Sequence, residues 1–389
     1  MGLRVESFEF ATATRIIFGP GTLRQAGAAA KESGRRALVV TGREPRRAEA
    51  LLKALAKEGV EVVTFPVHGE PELGTVEQGV TLAKQQACDL VIGFGGGSVL
   101  DAGKAVAAML ANEGELLEYL EVIGRGKALA RPSAPFIAIP TTAGTGSEVT
   151  RNAVLASPPH RVKVSLRSPL MLPRMALVNP ELTFDLPPAI TASTGLDALT
   201  QLLEPFVCLR ANPMVDALCR EGMTRAARSL RVAFERGDDY RAREDMALAS
   251  LFGGLALANA GLGAVHGFAG PIGGMFPAPH GQVCAALLPH VAAMNLHALR
   301  LREPDSFSLP RFDEIAQLLT GKAGARAEEG IEWLRELIAD LRIPPLRTYG
   351  ITSAHTRELI EKAAQASSMK ANPVVLKPEE LAEVLEQAR

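Results

Sequence analysis

One carboxylate and two histidines in this sequence are candidates for binding a divalent metal ion. Asp197 and Gln201 lie four residues apart, so on a helix both side chains project from the same face. His266 and His280 are separated by 14 residues, and each is followed by glycine. Carboxylate oxygen and imidazole nitrogen suit divalent cations. The spacing is compatible with a metal site, and it leaves open the alternative that each histidine is a hydrogen-bonded core residue.

The cysteines offer no second metal or redox motif. No pair among Cys88, Cys208, Cys219 and Cys284 has the C-x-x-C spacing. We expect four free thiols, as in a reducing cytoplasm. Cys284 follows His280 closely, and we expect it to be a buried structural thiol rather than a nucleophile. The first ten residues contain no long apolar segment, so no secretory leader is expected.

A glycine-rich stretch at 93–104, GFGGGSVLDAGK, predicts a phosphate-binding turn. An apolar strand ends there, three consecutive glycines allow close backbone approach, and a helix begins at Ser98. The first N–H groups of a helix favour an anion. The stretch departs from G-x-G-x-x-G because Ser98 occupies the last glycine position. The alternative is a strand–helix turn that needs glycine for a positive φ.

A second loop, PTTAGTGSE at 140–148, also follows a predicted strand and is dense in hydroxyls and glycines. Its hydroxyl groups are suited to a ribose or a phosphate. The alternative is a loop capped by its own hydroxyls. Two such loops at the carboxyl ends of parallel strands fit the position where open α/β sheets bind ligands.

The elements that position these residues change character along the chain. Apolar, β-branched runs predict strands at 37–42, 60–66, 89–94 and 135–140, with further strands at 152–157, 161–166 and 175–179. Helical spacing predicts helices at 46–57, 76–86 and 98–111. This alternation indicates a mostly parallel sheet covered by helices.

A proline-containing stretch at 179–188 predicts a boundary between two domains. From residue 191 onwards the sequence is rich in Ala, Leu, Glu and Arg at helical spacing, and strand-like runs are nearly absent. We therefore expect an α/β domain at 1–184 and an all-α domain at 185–389.

Charge and composition exclude some classes of function. The chain of 389 residues has 42 Lys and Arg against 43 Asp and Glu, a balance that argues against a nucleic-acid binder. Residues 251–276 carry no charge and are long enough to span a bilayer. They contain eight glycines, a proline and His266, so we expect a buried helix broken near residues 266–271 instead of a membrane segment.

Four motifs, in order, resemble the iron-containing (group III) alcohol dehydrogenase family. They are GGGSVLDAGK at 95–104, PTTAGTGSE at 140–148, GLDALTQLLE at 195–204 and the HG…PHG pattern at 266–281. The resemblance extends over essentially the whole chain. It implies a dehydroquinate synthase-like architecture, with an N-terminal dinucleotide-binding domain, a C-terminal helical metal domain and an active site in the cleft between them. It also implies a homodimer or larger oligomer.

The resemblance also implies site residues. In the family one Asp and three His hold iron, zinc or another divalent metal. The matching positions are Asp197, His266 and His280, which would be catalytic, and Gln201, which stands where the family has its third His. Gly270 replaces a further family His near the nicotinamide. The cofactor-binding positions would be Gly42, Gly96, Gly97, Ser98, Asp101, Thr141, Thr142, Thr145, Asn152 and Lys163.

The leading interpretation is an NAD(P)-dependent, metal-assisted alcohol dehydrogenase or aldehyde or ketone reductase. One alternative is a metal-independent reductase resembling the maleylacetate reductases, and another is a nucleotide-binding regulatory protein without catalysis. A carbon–oxygen lyase resembling dehydroquinate synthase fits the motifs less well.

NADP is the expected cofactor, with NAD as the alternative. Gly42 ends a strand where NAD-preferring members often carry Asp, and Arg43, Arg46 and Arg47 follow it. The apolar residues Phe206, Phe252 and Phe268 are candidates for lining a pocket that would suit a small or aromatic aldehyde.

Overall fold

The computed structural model describes residues 7–389. The expectation about a secretory leader rests on the first ten residues, and residues 1–6 of these lie outside the described residues. The chain forms two compact units. One comprises Thr12–Thr142 and Gly146–Phe184. The other comprises the described residues up to Ala11, Ala143–Thr145 and Asp185–Arg389.

The first unit is built on a six-stranded parallel sheet. The eight strands of the unit are β1 Arg15–Phe18, β2 Arg36–Thr41, β3 Glu61–Pro66, β4 Leu90–Gly95, β5 Phe136–Pro140, β6 Asn152–Ser157, β7 Val162–Arg167 and β8 Met175–Val178. The sheet order is β1-β8-β5-β4-β2-β3, and all its pairs are parallel. The predicted α/β class of this unit is confirmed.

Two predicted strands lie outside that sheet. β6 and β7 pair with each other in antiparallel register, from Asn152 opposite Arg167 to Ser157 opposite Val162. Buried and half-buried residues alternate along β6, as expected for a hairpin that packs one face on the core. The sequence analysis did not predict β1, because this strand has only four residues and none of them is fully buried.

Helices cover the sheet on both sides. They are α1 Ala26–Lys31, α2 Glu49–Lys57, α3 Leu73–Gln85, α4 Gly97–Ala111 and the short α5 Leu116–Tyr119. Two separate apolar cores result. One contains Leu38, Val40 and Val91, and the other contains Val39, Leu90 and Ile92. Alternate residues of β2 therefore point to opposite cores, which explains why its sequence is apolar throughout.

The second unit is helical. Its helices are α6 Pro188–Val207, α7 Pro213–Glu235, α8 Tyr240–Asn259, α9 Ala264–Met275, α10 His280–Arg302, α11 Leu309–Thr320, α12 Ala327–Asp340, α13 Thr356–Gln365 and α14 Pro378–Ala388. A single large apolar cluster runs through it, including Leu196, Leu199 and Val283.

The uncharged stretch 251–276 is broken earlier than predicted. The break lies at residues 260–263, between α8 and α9, where the chain turns by 96°. The prediction of a break near residues 266–271 is wrong, because Pro271 lies within α9. An internal proline removes one hydrogen bond, whereas Gly261, with a φ of +149°, leaves the helical region altogether.

Among the described residues, one unbroken helix has the length and composition of a membrane span. This helix is α10, and 78% of its apolar window is buried inside the fold. Such burial is typical of a core helix.

Candidate functional site

Helix α6 carries three polar side chains into the interior of the helical unit. Asp197, Gln201 and Glu204 lie four and three residues apart, on one face of α6, and are 2%, 2% and 4% exposed. Asp197 Oδ1 and Gln201 Oε1 have no hydrogen-bond partner within residues 7–389. Burying an unpaired carboxylate oxygen is costly, so α6 presents unsatisfied acceptors at this point.

His266 lies in the first turn of α9, and α6 holds that turn in place. Glu204 Oε1 accepts a hydrogen bond from the Val265 N–H at 2.7 Å, and Glu204 Oε2 lies 2.7 Å from His266 Nδ1. The Ala264 N–H is bound by Asn372 Oδ1 at 3.0 Å. These side chains satisfy N–H groups that a helix start leaves free. A carboxylate can only accept, so Nδ1 carries the proton and Nε2 is left for another partner.

His266 Nε2 lies 3.4 Å from Asp197 Oδ1, and His280 Nε2 lies 3.6 Å from the same oxygen. His280 is the first residue of α10, and Cys284 is one turn further along that helix. The Cys284 sulfur lies 3.8 Å from His266 Nε2 and 3.7 Å from His280 Nε2. Asp197, His266, His280 and Cys284 each place one donor atom within 4.8 Å of the others. We call these four residues the donor cluster.

The charges of the donor cluster stabilise one another. Burial opposes ionisation of Asp197, yet the neighbouring His280 and His266 hold the pKa of that carboxyl below its usual value. Burial likewise opposes a charged His266, but the Cys284 sulfur and the Asp197 carboxylate raise the pKa of that imidazole. The two imidazoles lower the pKa of the buried Cys284 thiol. The carboxyl, the thiol and the imidazoles therefore each shift a neighbour's pKa toward the charged form.

The donor cluster fits a four-coordinate divalent cation. Bond lengths of about 2.0–2.3 Å to N, O and S ligands would place the ligand atoms of a tetrahedron about 3.3–3.8 Å apart. The four distances above lie at this spacing. The carboxylate oxygen that would bind the cation is the one without a hydrogen-bond partner. Gly270, at the position of a further family histidine, brings no imidazole, and a β-carbon there would have no neighbour within 4 Å.

The structure brings Asp197, His266 and His280 together, places Gln201 beside Asp197, and adds Glu204 and Cys284. Gln201 lies one turn from Asp197 on α6 and contributes to lowering the pKa of that carboxyl. Sequence reasoning missed Glu204, whose signal was a carboxylate seven residues after Asp197. It placed Cys284 correctly as buried but not as a neighbour of both imidazoles, although its spacing of four residues from His280 was visible.

The predicted pocket-lining phenylalanines are wrong in two of three cases. Phe206 and Phe268 are 0% exposed and belong to the apolar core of the helical unit. Phe206 is also covered by the guanidinium groups of Arg220 and Arg311. Side chains enclosed in this way do not face an open pocket. Phe252 is half-buried and packs against the core.

In the sheet unit, predicted cofactor residues directly follow three neighbouring strands. Gly42 follows β2, Gly96 and Gly97 follow β4, and Thr141 and Thr142 follow β5. These strands lie in the order β5-β4-β2, so their carboxyl ends share one edge. The Thr141 N–H donates to Gly95 O at 2.9 Å, and a β-carbon on Gly96 would lie 3.3 Å from the Thr142 side chain.

The glycine turn does not need positive φ angles. Gly96 has φ −77° and ψ −174°, an extended conformation that any residue can adopt. It directly precedes α4. A β-carbon on Gly95 would stand 2.6 Å from Val99, and one on Gly93 would stand 2.9 Å from Phe136. Close packing explains these two glycines. No side chain caps the first N–H groups of the 15-residue helix α4, and such groups favour an anion.

The remaining predicted cofactor residues have varied surroundings. Asp101 accepts hydrogen bonds from Ser147 Oγ at 2.5 Å and from the Val154 N–H at 3.0 Å, and it pairs with the buried Lys104 at 3.1 Å. Lys163 pairs with Glu70 at 2.9 Å. Ser98 lies in the first turn of α4, Asn152 begins β6, and Thr145 belongs to the short segment grouped with the helical unit.

Buried Lys104 binds the end of the hydroxyl-rich loop and the residues that follow it. Its Nζ donates to Ser147 O at 3.0 Å, to Thr150 Oγ1 at 2.9 Å and to Asn152 O. Burial lowers the pKa of Lys104 despite the nearby Asp101. The same burial raises the pKa of Glu148 to about 7. Sequence reasoning did not assign a role to either Lys104 or Glu148.

Comparison with known proteins matches both halves of the chain to one family. The family model described as iron-containing alcohol dehydrogenase matches residues 13–180, and the model of the family's C-terminal part matches residues 191–389. The chain is 35% identical to 1,3-propanediol dehydrogenase of Klebsiella pneumoniae over 394 residues, which cover 98% of each chain. It is 34% identical to alcohol dehydrogenase 4 of Saccharomyces cerevisiae strain YJM789, over 96% of each chain.

The fold agrees with these matches. The crystal structure of a 1,3-propanediol oxidoreductase superposes with a TM-score of 0.92 at 34% identity, covering 99% of this chain and 100% of the other. The predicted architecture of a parallel α/β unit and a helical unit is confirmed. The relatives are dehydrogenases, and they do not favour the alternative of a metal-independent reductase. The chain therefore belongs to the iron-containing alcohol dehydrogenase family, whose members are oxidoreductases that act on CH–OH groups with NAD(H) and a divalent metal.

Proposed function

We propose that this alcohol dehydrogenase is metal-assisted through Asp197, His266 and His280 and interconverts a small alcohol and its aldehyde or ketone. The observation that carries the ligand assignment is Asp197 Oδ1, which is buried, has no hydrogen-bond partner within residues 7–389 and lies within 3.6 Å of both Nε2 atoms. A cation at this point would offset the cost of burying that oxygen. The resemblance assigns Gln201 to the fourth position, and Gln201 Oε1 is likewise buried without a partner in this range.

The roles of the chain's residues follow from their surroundings. A bound divalent cation supplies Lewis acidity toward an alcohol or carbonyl oxygen. Asp197 supplies negative charge to hold it, and the two imidazoles supply neutral nitrogen donors. Glu204 fixes His266 with Nε2 toward Asp197. Asp197 is 2% exposed and the His266 side chain 7% exposed, and the low local dielectric around these two groups strengthens their interactions.

The dinucleotide is proposed to bind at the carboxyl edge of the sheet. Its pyrophosphate would meet the N–H groups of α4 at Gly97 and Ser98, which no side chain caps, with Gly96 allowing close approach. The nicotinamide supplies the hydride chemistry. NADP is the proposed preference because Gly42 has room beside it and Arg43 and Arg46 are exposed nearby.

The cellular setting is proposed to be the cytoplasm, with the chain acting as a homodimer or larger oligomer. All four cysteines are free and buried, which is compatible with a reducing compartment. The oligomeric state rests on the family resemblance alone and is measured by light scattering of the purified protein.

The test of the metal assignment compares apo and reconstituted protein. Metal is removed by chelation and Zn²⁺, Fe²⁺, Mn²⁺ or Mg²⁺ is added back, with oxidation of NADPH and NADH followed against a panel of aldehydes and keto acids. We expect activity to disappear on chelation and return with one or more cations. Asp197→Asn should abolish both metal binding and turnover. Asp340→Asn, which changes an exposed carboxylate of the same unit, should change neither. Full turnover in metal-free protein would overturn the assignment.

A further inference from the structure

We infer that Cys284 is the fourth metal ligand, so that the chain binds its cation through Asp197, His266, His280 and a thiolate. This inference rests on the proposed function, since it concerns the same cation. It assigns to Cys284 the place that the resemblance gives to Gln201. The chemical consequence is a site for a borderline or soft divalent ion such as Zn²⁺ rather than a hard ion such as Mg²⁺.

The position of the Cys284 sulfur supports its role as a ligand. Cys284 and His280 lie one turn apart on α10, so their side chains project from one helix face. The sulfur stands 3.7 and 3.8 Å from the two Nε2 atoms, which is the spacing of ligand atoms in a tetrahedral zinc site with a sulfur ligand, about 3.4–3.8 Å. The donor atoms come from α6, α9 and α10, three separate helices, so the arrangement is not a local consequence of one turn.

Gln201 contacts a different helix. Its side-chain oxygen lies against α8, 3.7 Å from the position that a β-carbon of Gly253 would occupy. No residue forms a hydrogen bond to that oxygen within the described chain. Gln201 is a neighbour of Asp197 on α6, whereas the sulfur of Cys284 lies at comparable distances from the Nε2 atoms of both histidines.

The net charge of the cation and its ligands also favours a thiolate. If Asp197 were the only anionic ligand, the cation and its ligands would carry a net positive charge, since the Glu204 carboxylate contacts His266 Nδ1 rather than a metal-binding atom. A thiolate as second anion makes the assembled site neutral, and an uncompensated buried charge is costly. Asp197 is 2% exposed and Cys284 is fully buried, so solvent screening of such a charge would be weak. An amide oxygen from Gln201 would not supply the missing negative charge.

Cobalt substitution of the full-length protein tests the inference directly. A Co²⁺ site with a thiolate ligand has a sulfur-to-metal charge-transfer band in the near ultraviolet, whereas one with only N and O ligands has visible d–d bands without it. We expect wild type and Gln201→Ala to show the charge-transfer band. Cys284→Ser should retain d–d bands and lose the charge-transfer band. Cys88→Ser, which removes a buried thiol of the sheet unit, should behave as wild type.

Zinc affinity gives a second readout that does not depend on activity. Competition with a chromophoric chelator should show Zn²⁺ affinity reduced at least tenfold in Cys284→Ser. Mn²⁺ affinity should change less, because a hard cation gains less from a thiolate. Gln201→Ala should lower Zn²⁺ affinity by a smaller factor than Cys284→Ser.

X-ray absorption at the zinc edge keeps the inference testable should Cys284→Ser not fold. Wild-type protein loaded with Zn²⁺ should contain one sulfur at about 2.3 Å, beside N and O ligands at about 2.0–2.2 Å. Loss of binding in Asp197→Asn would show that the cation binds through Asp197. If that cation had no sulfur ligand and no charge-transfer band, the role of Cys284 would be overturned and the proposed function would stand. Failure of every cation to bind would overturn both.

Discussion

Glu204 Oε2 lies 2.7 Å from His266 Nδ1, and this contact fixes which nitrogen of the imidazole faces Asp197. The same carboxylate uses Oε1 to bind the Val265 N–H. One side chain therefore sets both the start of α9 and the tautomer of the histidine in its first turn. A carboxylate placed in this way also raises the basicity of the opposite nitrogen toward a cation.

Removal of this carboxylate should weaken metal binding without removing a ligand. For Glu204→Ala we expect Zn²⁺ affinity about 10–100-fold lower, because the imidazole loses its orientation and its fixed tautomer. Competition with a chromophoric chelator measures the affinity. Glu204→Gln should be intermediate, since one amide oxygen cannot replace two carboxylate acceptors. Affinity unchanged in a folded Glu204→Ala protein would refute the positioning role.

The glycine turn should separate cofactor binding from stability. Gly96→Val places a side chain 3.3 Å from Thr142, at the edge where the pyrophosphate is proposed to bind. We expect dinucleotide affinity to fall at least tenfold, or about 1.4 kcal/mol. The unfolding free energy should change less than in Gly95→Ala, because φ at Gly96 is ordinary and the Thr142 side chain has to move only slightly. Fluorescence titration with NADPH and urea unfolding measure the two quantities.

Gly95 provides the contrasting variant. A β-carbon there would stand 2.6 Å from the Val99 side chain, inside the packed unit. Gly95→Ala should therefore lower the unfolding free energy by about 1–3 kcal/mol, the usual cost of overpacking. If Gly96→Val destabilised the protein as much as Gly95→Ala and bound NADPH normally, the glycine turn would be structural only.

Most of the fold was predictable from the sequence because its strands are unusually regular in composition. β2, β4 and β5 are buried on both faces and appear as continuous apolar runs. Prediction failed where the deciding interaction lies outside the local sequence. The half-buried β1 forms because β8 pairs with it, and the start of α9 is set by Glu204 and Asn372, which are distant in sequence.

The site was also predictable in part from the local sequence. Asp197, His266 and His280 are polar residues within apolar stretches, which makes them recognisable as candidate site residues. Cys284 is not recognisable in this way, because a buried thiol resembles any small apolar residue until its neighbours are known. The roles of Lys104 and Glu148 depend on their burial, which composition does not reveal.

Burial of Glu148 should make stability depend on pH. Burial raises the pKa of Glu148 from 4.5 to about 7, against the attraction of Lys104. The folded state then retains the proton that the unfolded state loses, so this stabilising contribution is complete below about pH 4.5 and is lost as pH rises to about 7. Relative to Glu148→Gln, wild type should lose on the order of 3 kcal/mol over that interval.

Urea unfolding at a series of pH values measures this difference. Glu113→Gln, which changes an exposed carboxyl of the same unit, should run parallel to wild type. A constant difference between wild type and Glu148→Gln from about pH 5 to about pH 8 would mean that Glu148 titrates as an ordinary carboxyl in the folded protein.

Cofactor preference should depend on the residue at the end of β2. A β-carbon at Gly42 would have only one neighbour, the Val99 side chain at 4.0 Å, so Gly42→Asp fits without repacking. Its carboxylate would favour the 2′-hydroxyl of NAD and repel the 2′-phosphate of NADP. We expect kcat/KM for NADPH relative to NADH to fall at least tenfold, about 1.4 kcal/mol of discrimination. Gly42→Asn, of the same size without charge, separates repulsion from crowding.

The neighbouring arginines complete the argument. Arg43 and Arg46 are exposed, whereas Arg47 donates to Leu182 O at 3.2 Å and is thereby held to the fold. If a guanidinium pairs with the 2′-phosphate, Arg43→Ala or Arg46→Ala should raise KM for NADPH and leave KM for NADH unchanged. The dependence on salt gives an independent measure, because the NADPH preference of wild type should decline as ionic strength rises and that of the affected variant should not. A wild-type enzyme that prefers NADH, with Gly42→Asp having no effect on the ratio, would contradict the assignment of this strand end to the ribose.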